Sequence, residues 1–175
     1  MVGHWVPASL VRLTLQGTLE YQQRHATTGF ICAIKKIVKA KAKELNMINQ
    51  LIQEMKLHAF VNNPNIVAFY GWVSDEANIY LILEYMEGGT LFDYMTKTEK
   101  LSELETVGFV REVTQGVKYL HDMNIAHRDI KPENIVMSYG VAKLCDFGWS
   151  ARVQGARKTY CGTFDYAPPE ILERK

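Results

Sequence analysis

The 175-residue sequence predicts an α+β protein, with a strand-rich half, a helix-rich half and a Gly-Gly joint between them. Three observations carry that prediction. Gly29–Ile37 (GFICAIKKI) alternates with period two, setting Ile31, Ala33 and Lys35 on one face and Cys32 and Ile34 on the other. From Lys43 to Phe60, the residues Leu45, Ile48, Ile52, Met55 and Ala59 recur every three or four positions, as on an amphipathic helix. Beyond Gly89 the apolar spacing turns helical again, with Val110, Val113, Val117 and Leu120 in one stripe.

The remaining elements follow in chain order. Asn62–Asn65 (NNPN) is a loop signal, and two strands are expected after it, IVAFYGWV and NIYLILEYM. EGG then breaks the pattern. Ser102 with Glu105 forms a capping box ahead of the second helix, which runs out near His121. NIVM and AKLC read as two short strands joined by a turn. A cleft between unlike halves is a natural ligand site.

Composition narrows the function classes. The chain is 47% apolar and 22% charged, an ordinary globular balance. A net charge of +1 gives no reason to expect a nucleic-acid or membrane-surface partner. No apolar run reaches the length of a membrane span, and Met1–Leu15 lacks the pattern of a signal peptide. Cys32, Cys145 and Cys161 are widely spaced, forming neither a zinc pattern nor a disulfide framework, which fits a reducing cytosol or nucleus.

The chemistry concentrates in Ala126–Ser150, AHRDIKPENIVMSYGVAKLCDFGWS. The NIVM/AKLC hairpin can bring Asp129 and Asp146 to one mouth. Asp146 and Asn134 offer one charged and one neutral oxygen, suited to a Mg²⁺ ion that also holds a polyphosphate. Asp129 can orient an attacking hydroxyl and accept its proton, while Lys131 neutralises charge on a transferring phosphoryl group. Gly148 lets the backbone turn sharply after the metal ligand.

These residues carry a resemblance. HRDIKPEN followed by DFG is similar to the catalytic and metal loops of eukaryotic protein kinases. DFGWS, TYCGTFDY and APPE, with IYLILEYMEGGTLFDYM and NPNIVAFYGW, resemble the Aurora serine/threonine kinases from about Tyr21 to Glu170. The resemblance implies a bilobal protein-kinase fold: an antiparallel sheet with one helix in a small lobe, and an incomplete, mainly helical large lobe. Residues 1–84 would form the small lobe, 85–89 the hinge and 90–175 the partial large lobe.

By the same resemblance the cofactors are ATP and Mg²⁺. Lys35 would hold the α- and β-phosphates, with Glu54 as its ion-pair partner; Glu44 is the competing candidate for that role. Ala33 would cover the adenine and Val136 would floor it, Glu84 and Met86 would bond it through their backbone, and Leu83 would be the gatekeeper. Thr159 stands at the activation-loop phosphosite and Arg128 would pair its phosphate. Thr163 would bridge toward Asp129 and Lys131 and accept serine or threonine substrates, and Glu133 would read a substrate arginine two positions upstream. Thr159 follows Arg157 at that spacing, which implies autophosphorylation in trans. The family further implies protein substrates basic upstream of Ser/Thr, an activator peptide on the small lobe, a role in cell division, and a place in nucleus and cytoplasm at the spindle and cytoskeleton.

The pattern breaks in two places. Leu13, Leu15 and Thr18 stand where the family loop has glycines, and Glu20 where it has valine, so residues 1–20 match poorly and a weakened phosphate lid is expected. The chain also stops shortly after Glu170, where related kinases continue with further helices, so it reads as a fragment or truncated gene model. Two other readings stay open: a non-catalytic truncated pseudokinase acting as a binding module, and a small-molecule phosphotransferase, against which the long Asp146–Glu170 segment argues.

Overall fold

The computed structural model describes residues 5–13, 19–25, 28–98, 100–153 and 162–172. They fall into two compact units: Met1–Ile52 with Ala68–Met86, and Gln53–Val67 with Glu87–Lys175. Gln53–Val67 therefore groups with the second unit and not with the residues that flank it in sequence.

The first unit is an antiparallel sheet in the order β1-β2-β3-β5-β4. Its strands are β1 (Trp5–Leu13), β2 (Leu19–His25), β3 (Ile31–Val38), β4 (Phe69–Ser74) and β5 (Asn78–Glu84). Pro7 is tolerated because β1 is an edge strand, where a missing N–H breaks no inner ladder. On β3, Cys32 and Ile34 are buried on one face, as the alternation predicts, and Lys35 is buried on the other. Lys35 lies opposite Glu20 on β2 and Leu81 on β5. Asp75 organises the β4–β5 turn: its carboxylate accepts from the N–H groups of Ala77 and Asn78 and from the Tyr80 hydroxyl.

The single helix expected over Lys43–Phe60 is two helices, α1 (Lys39–Glu44) and α2 (Ile48–Ala59). Asn46 takes the left-handed conformation, φ 56°, which asparagine tolerates better than most residues. Met47 N–H reaches Ala42 O and Asn46 N–H reaches Lys43 O, the two bonds of a Schellman stop. The stripe is out of phase as well. Leu45 and Ile52 are exposed, whereas Leu51, Glu54, Leu57 and His58 are buried. Hydrophobic periodicity misplaces this face because two of its four buried residues are polar.

In the second unit, α3 (Leu91–Thr98) and α4 (Glu103–Asp122) pack over two small antiparallel ladders, β6 (Ile125–Ala126) with β9 (Ala151–Arg152) and β7 (Ile135–Ser138) with β8 (Val141–Leu144). The Ser102–Glu105 capping box is present, with the Ser102 side chain accepting from Glu105 N–H and the Glu105 side chain accepting from Ser102 N–H. Along α4, Gly116 and Leu120 are buried and Val113 and Val117 pack on the core, but Val110 of the expected stripe is exposed. A Cβ at Gly116 would stand 2.9 Å from Asn65 O and 3.2 Å from Leu144 Cδ1, so the missing side chain sets the spacing of helix and hairpin. Tyr139 and Gly140, φ 48° and 78°, close the β7–β8 hairpin, both left-handed as a two-residue turn of the primed kind requires. A short helix, α5 (Pro169–Leu172), ends the described chain. No helix among the described residues is long and apolar enough to cross a membrane.

Candidate active site

The loop between β6 and β7 gathers the groups the sequence singles out. Asp129 is buried. Its Oδ1 accepts the Thr163 hydroxyl at 2.6 Å, and its Oδ2 accepts Asn134 Nδ2 at 2.7 Å. Lys131 Nζ lies 3.1 Å from Oδ2 and donates to Thr163 Oγ1 at 2.6 Å. The loop reaches this geometry because Lys131 is fully extended and Pro132 then opens a 3₁₀ turn, Pro132–Asn134, that aims Asn134 back at Asp129.

Asn134 spends its amide protons on Asp129, one on Oδ2 and one on the backbone carbonyl at 2.8 Å. Its Oδ1 is thereby left as the acceptor of that side chain. Cys145 N–H donates to Asn134 O at 2.9 Å, which sets the next residue, Asp146, beside Asn134. The donor set is one carboxylate and one amide oxygen, hard ligands that suit Mg²⁺ when phosphate oxygens complete the shell. Among the described residues, no group of three or more His, Cys, Asp and Glu forms a closed metal cage. The residues fit an ion shared with a polyphosphate rather than one enclosed by protein.

Asp146 is left-handed, φ 63°, and its Oδ1 accepts Gly148 N–H at 3.2 Å. A methyl at Gly148 would meet Asp146 Oδ1 at 3.1 Å and Glu54 Oε2 at 3.6 Å. The Glu54 carboxylate, from α2, thus lies beside the metal loop.

Several supporting residues have no signal in the hydrophobic pattern. Phe147 is fully buried, stacked on His58 with centroids 4.4 Å apart and edge-on to His127 at 5.3 Å. His58 Nε2 bonds Val67 O and His127 Nε2 bonds Cys145 O, so both rings are anchored to backbone. Burial pushes the His127 pKa down, and among the described residues Nδ1 has no hydrogen-bond partner, while Nε2 meets the Cys145 carbonyl, which together describe a neutral imidazole protonated at Nε2. Arg128 is left-handed, φ 67°, and its Nε donates to Trp149 O at 2.6 Å. Gly162, φ 104°, passes so close to Arg128 O that no Cβ fits. HRD, DFG and CGT are the only marks that could have pointed to these roles.

The structure therefore brings Asp129, Lys131, Asn134, Asp146 and Thr163 together. Glu133 is half-buried on the 3₁₀ turn against which α3 packs, and Val136 lies on β7 in a bridge with Thr90. Lys35, Ala33, Glu84 and Met86 belong to the first unit, with Lys35 and Met86 buried. Glu84 N–H donates to Ala68 O and its carboxylate accepts Ala68 N–H. Thr159 and Cys161 lie outside the described residues, as do Leu15 and Thr18 of the glycine-poor loop.

Comparison with known proteins identifies the family. The family described as "Protein kinase domain" matches residues 17–175. The chain is 36% identical over 158 residues to an Aurora kinase of Saccharomyces cerevisiae, covering 89% of this chain and 43% of the relative. It is 37% identical over 157 residues to mouse Aurora kinase C, covering 89% and 57%. It is 36% identical over 154 residues to the Arabidopsis thaliana serine/threonine-protein kinase Aurora-2, covering 87% and 55%. The chain spans about half the length of these curated relatives.

Proposed function

Because the chain belongs to the protein kinase family, and its relatives are Aurora serine/threonine kinases, we propose that it phosphorylates serine or threonine in protein substrates at the expense of ATP. One observation supports this above the others: a buried carboxylate, Asp129, shares a threonine hydroxyl with a lysine and is braced by an asparagine amide.

In this reading Asp129, still held by the Thr163 hydroxyl, accepts a substrate hydroxyl beside it, and the substrate proton passes to Asp129 as the oxygen attacks the γ-phosphorus. Lys131 faces the same point and stabilises charge on the transferring group. Mg²⁺, held by Asn134 and Asp146, would screen the phosphate charges and fix the leaving diphosphate. By the family resemblance Lys35 would hold the α- and β-phosphates, with Glu54 as its counter-charge. Adenine lies on Ala33 and Val136. Its backbone bonds come from Met86 and from the Glu84 carbonyl, since the Glu84 N–H is taken by Ala68.

The substrate carries an arginine two residues before the target, read by Glu133, and Thr163 admits serine or threonine. Thr159, phosphorylated in trans and paired by Arg128, orders the segment before it. A mitotic role, an activator peptide on the small lobe, and a place at the spindle and cytoskeleton in nucleus and cytoplasm complete the reading.

A second reading rests on the sequence alone. Leu13, Leu15 and Thr18 replace glycines of the phosphate lid, which favours a binding module that holds nucleotide without turnover. One experiment separates the two. The chain is incubated with Mg-ATP and a peptide bearing arginine two positions before serine, and phosphopeptide is read by mass spectrometry. Transfer that falls by about 10²–10⁴ in Asp129→Asn supports the kinase. Nucleotide binding by thermal shift with no transfer supports the binding module and defeats the kinase reading.

A further inference from the structure

Phe60 is 66% exposed, an uncommon station for phenylalanine. One face of its ring is nevertheless in use, for the Arg152 guanidinium carbon lies 5.9 Å from the ring centroid. That is within the roughly 6 Å reach of a cation–π contact. Phe60 follows α2 directly, and its N–H donates to Leu57 O, so the cation also stands at the carbonyl end of a helix, where positive charge is favoured.

Both partners sit at mechanically sensitive points. Arg152 ends β9, and β9 is held to β6 by a ladder only two residues long, Ile125 with Arg152 and Ala126 with Ala151, extended by Val153 N–H to Asn124 O at 2.7 Å. So short a ladder has little stability of its own. β6 in turn runs straight into His127, Arg128 and Asp129. On the other side, α2 carries Glu54 beside Gly148 and His58 against Phe147. The stretch 146–152 is thus tied to α2 at two places, near its start by the His58–Phe147 stack and at its end by Phe60–Arg152.

We propose that Phe60 and Arg152 are a positioning pair: the cation–π contact fixes the β9–β6 ladder against α2 and thereby holds Asp129 in register with the metal loop. Neither residue touches substrate. The consequence for turnover rests on the phosphotransfer reading above, but the mechanical coupling does not.

The test is a cycle of Phe60→Leu, Arg152→Gln and the double variant, with Phe60→Tyr as the ring-preserving control. Two quantities are read: amide hydrogen exchange at Val153, and kcat with KM for ATP. Either single change is expected to speed exchange at Val153 about two- to five-fold and to lower kcat by a similar factor, with KM for ATP unchanged. The double variant should be no worse than either single, and Phe60→Tyr should match the parent chain. Independent, multiplying effects of the two changes would overturn the pair. So would exchange that accelerates equally at Leu120, in the core, because that is general loosening. If the parent chain transfers no phosphate, the functional reading fails by itself and Val153 exchange alone decides the coupling.

Discussion

Replacing Thr163 by valine removes one hydroxyl and leaves the shape of the side chain almost unchanged. That hydroxyl donates to Asp129 Oδ1 and accepts from Lys131 Nζ, each at 2.6 Å. Hydrogen bonds to charged groups contribute about 1.5–3 kcal/mol apiece. The Lys131 side chain is 19% exposed and that of Asp129 is 6%, so water replaces the lysine bond more readily than the aspartate bond. The net loss is therefore set mainly by Asp129, at about 2 kcal/mol. Felt wholly in the transition state, that lowers kcat roughly 30-fold. Felt equally in ground and transition states, it appears as a lower denaturant midpoint with kcat preserved. Steady-state kinetics on a serine peptide, paired with urea unfolding, separate these cases. We expect Thr163→Val to lose about 10- to 100-fold in kcat and Thr163→Ser to stay near the parent. A valine variant within twofold of the parent on both measurements, or a serine variant as impaired as valine, would refute the role assigned to this hydroxyl.

Other positions give independent predictions. Gly162→Ala forces a side chain onto a backbone at φ 104° with Arg128 O in the way, and should cost about 1–3 kcal/mol in urea unfolding while lowering kcat, because Thr163 moves with it. Gly116→Ala wedges a methyl between Asn65 O and Leu144 and should destabilise by about 1–3 kcal/mol with no direct effect on the site. Asp75 has its pKa lowered to about 2, first by the Tyr80 hydroxyl and then by the Asn78 N–H. A depressed carboxylate pKa stabilises the fold above its unfolded value and loses that contribution as pH falls through the folded one. Asp75→Ala should thus lower the thermal midpoint at pH 7, and its gap from the parent should close between about pH 4 and pH 2; a gap of constant size down to pH 2 would contradict the assignment.

What the sequence reveals and what it hides divide along chain separation and polarity. The Ser102 capping box, the β7–β8 hairpin and the Asp129–Lys131 pair are encoded within a few residues each and stand as the local pattern predicts, whereas the bond from Asn134 to Asp129 is not part of that pattern. Only the Aurora resemblance points to Thr163, whose hydroxyl meets Asp129 across 34 residues of chain, a contact no local pattern shows. The His58–Phe147–His127 stack leaves no local pattern, since its histidines look like ordinary polar residues until the fold buries them. The buried face of α2 lies off its apolar stripe. An amphipathic reading assumes that buried means apolar, and α2 buries Glu54 and His58 while leaving Ile52 in solvent. Burying a carboxylate and an imidazole is costly unless partners compensate. Glu54 lies against the metal loop and His58 against Phe147. The departure from simple periodicity therefore falls at the residues that join α2 to Phe147 and Gly148, which is where a conflict between local pattern and global fold is expected to sit.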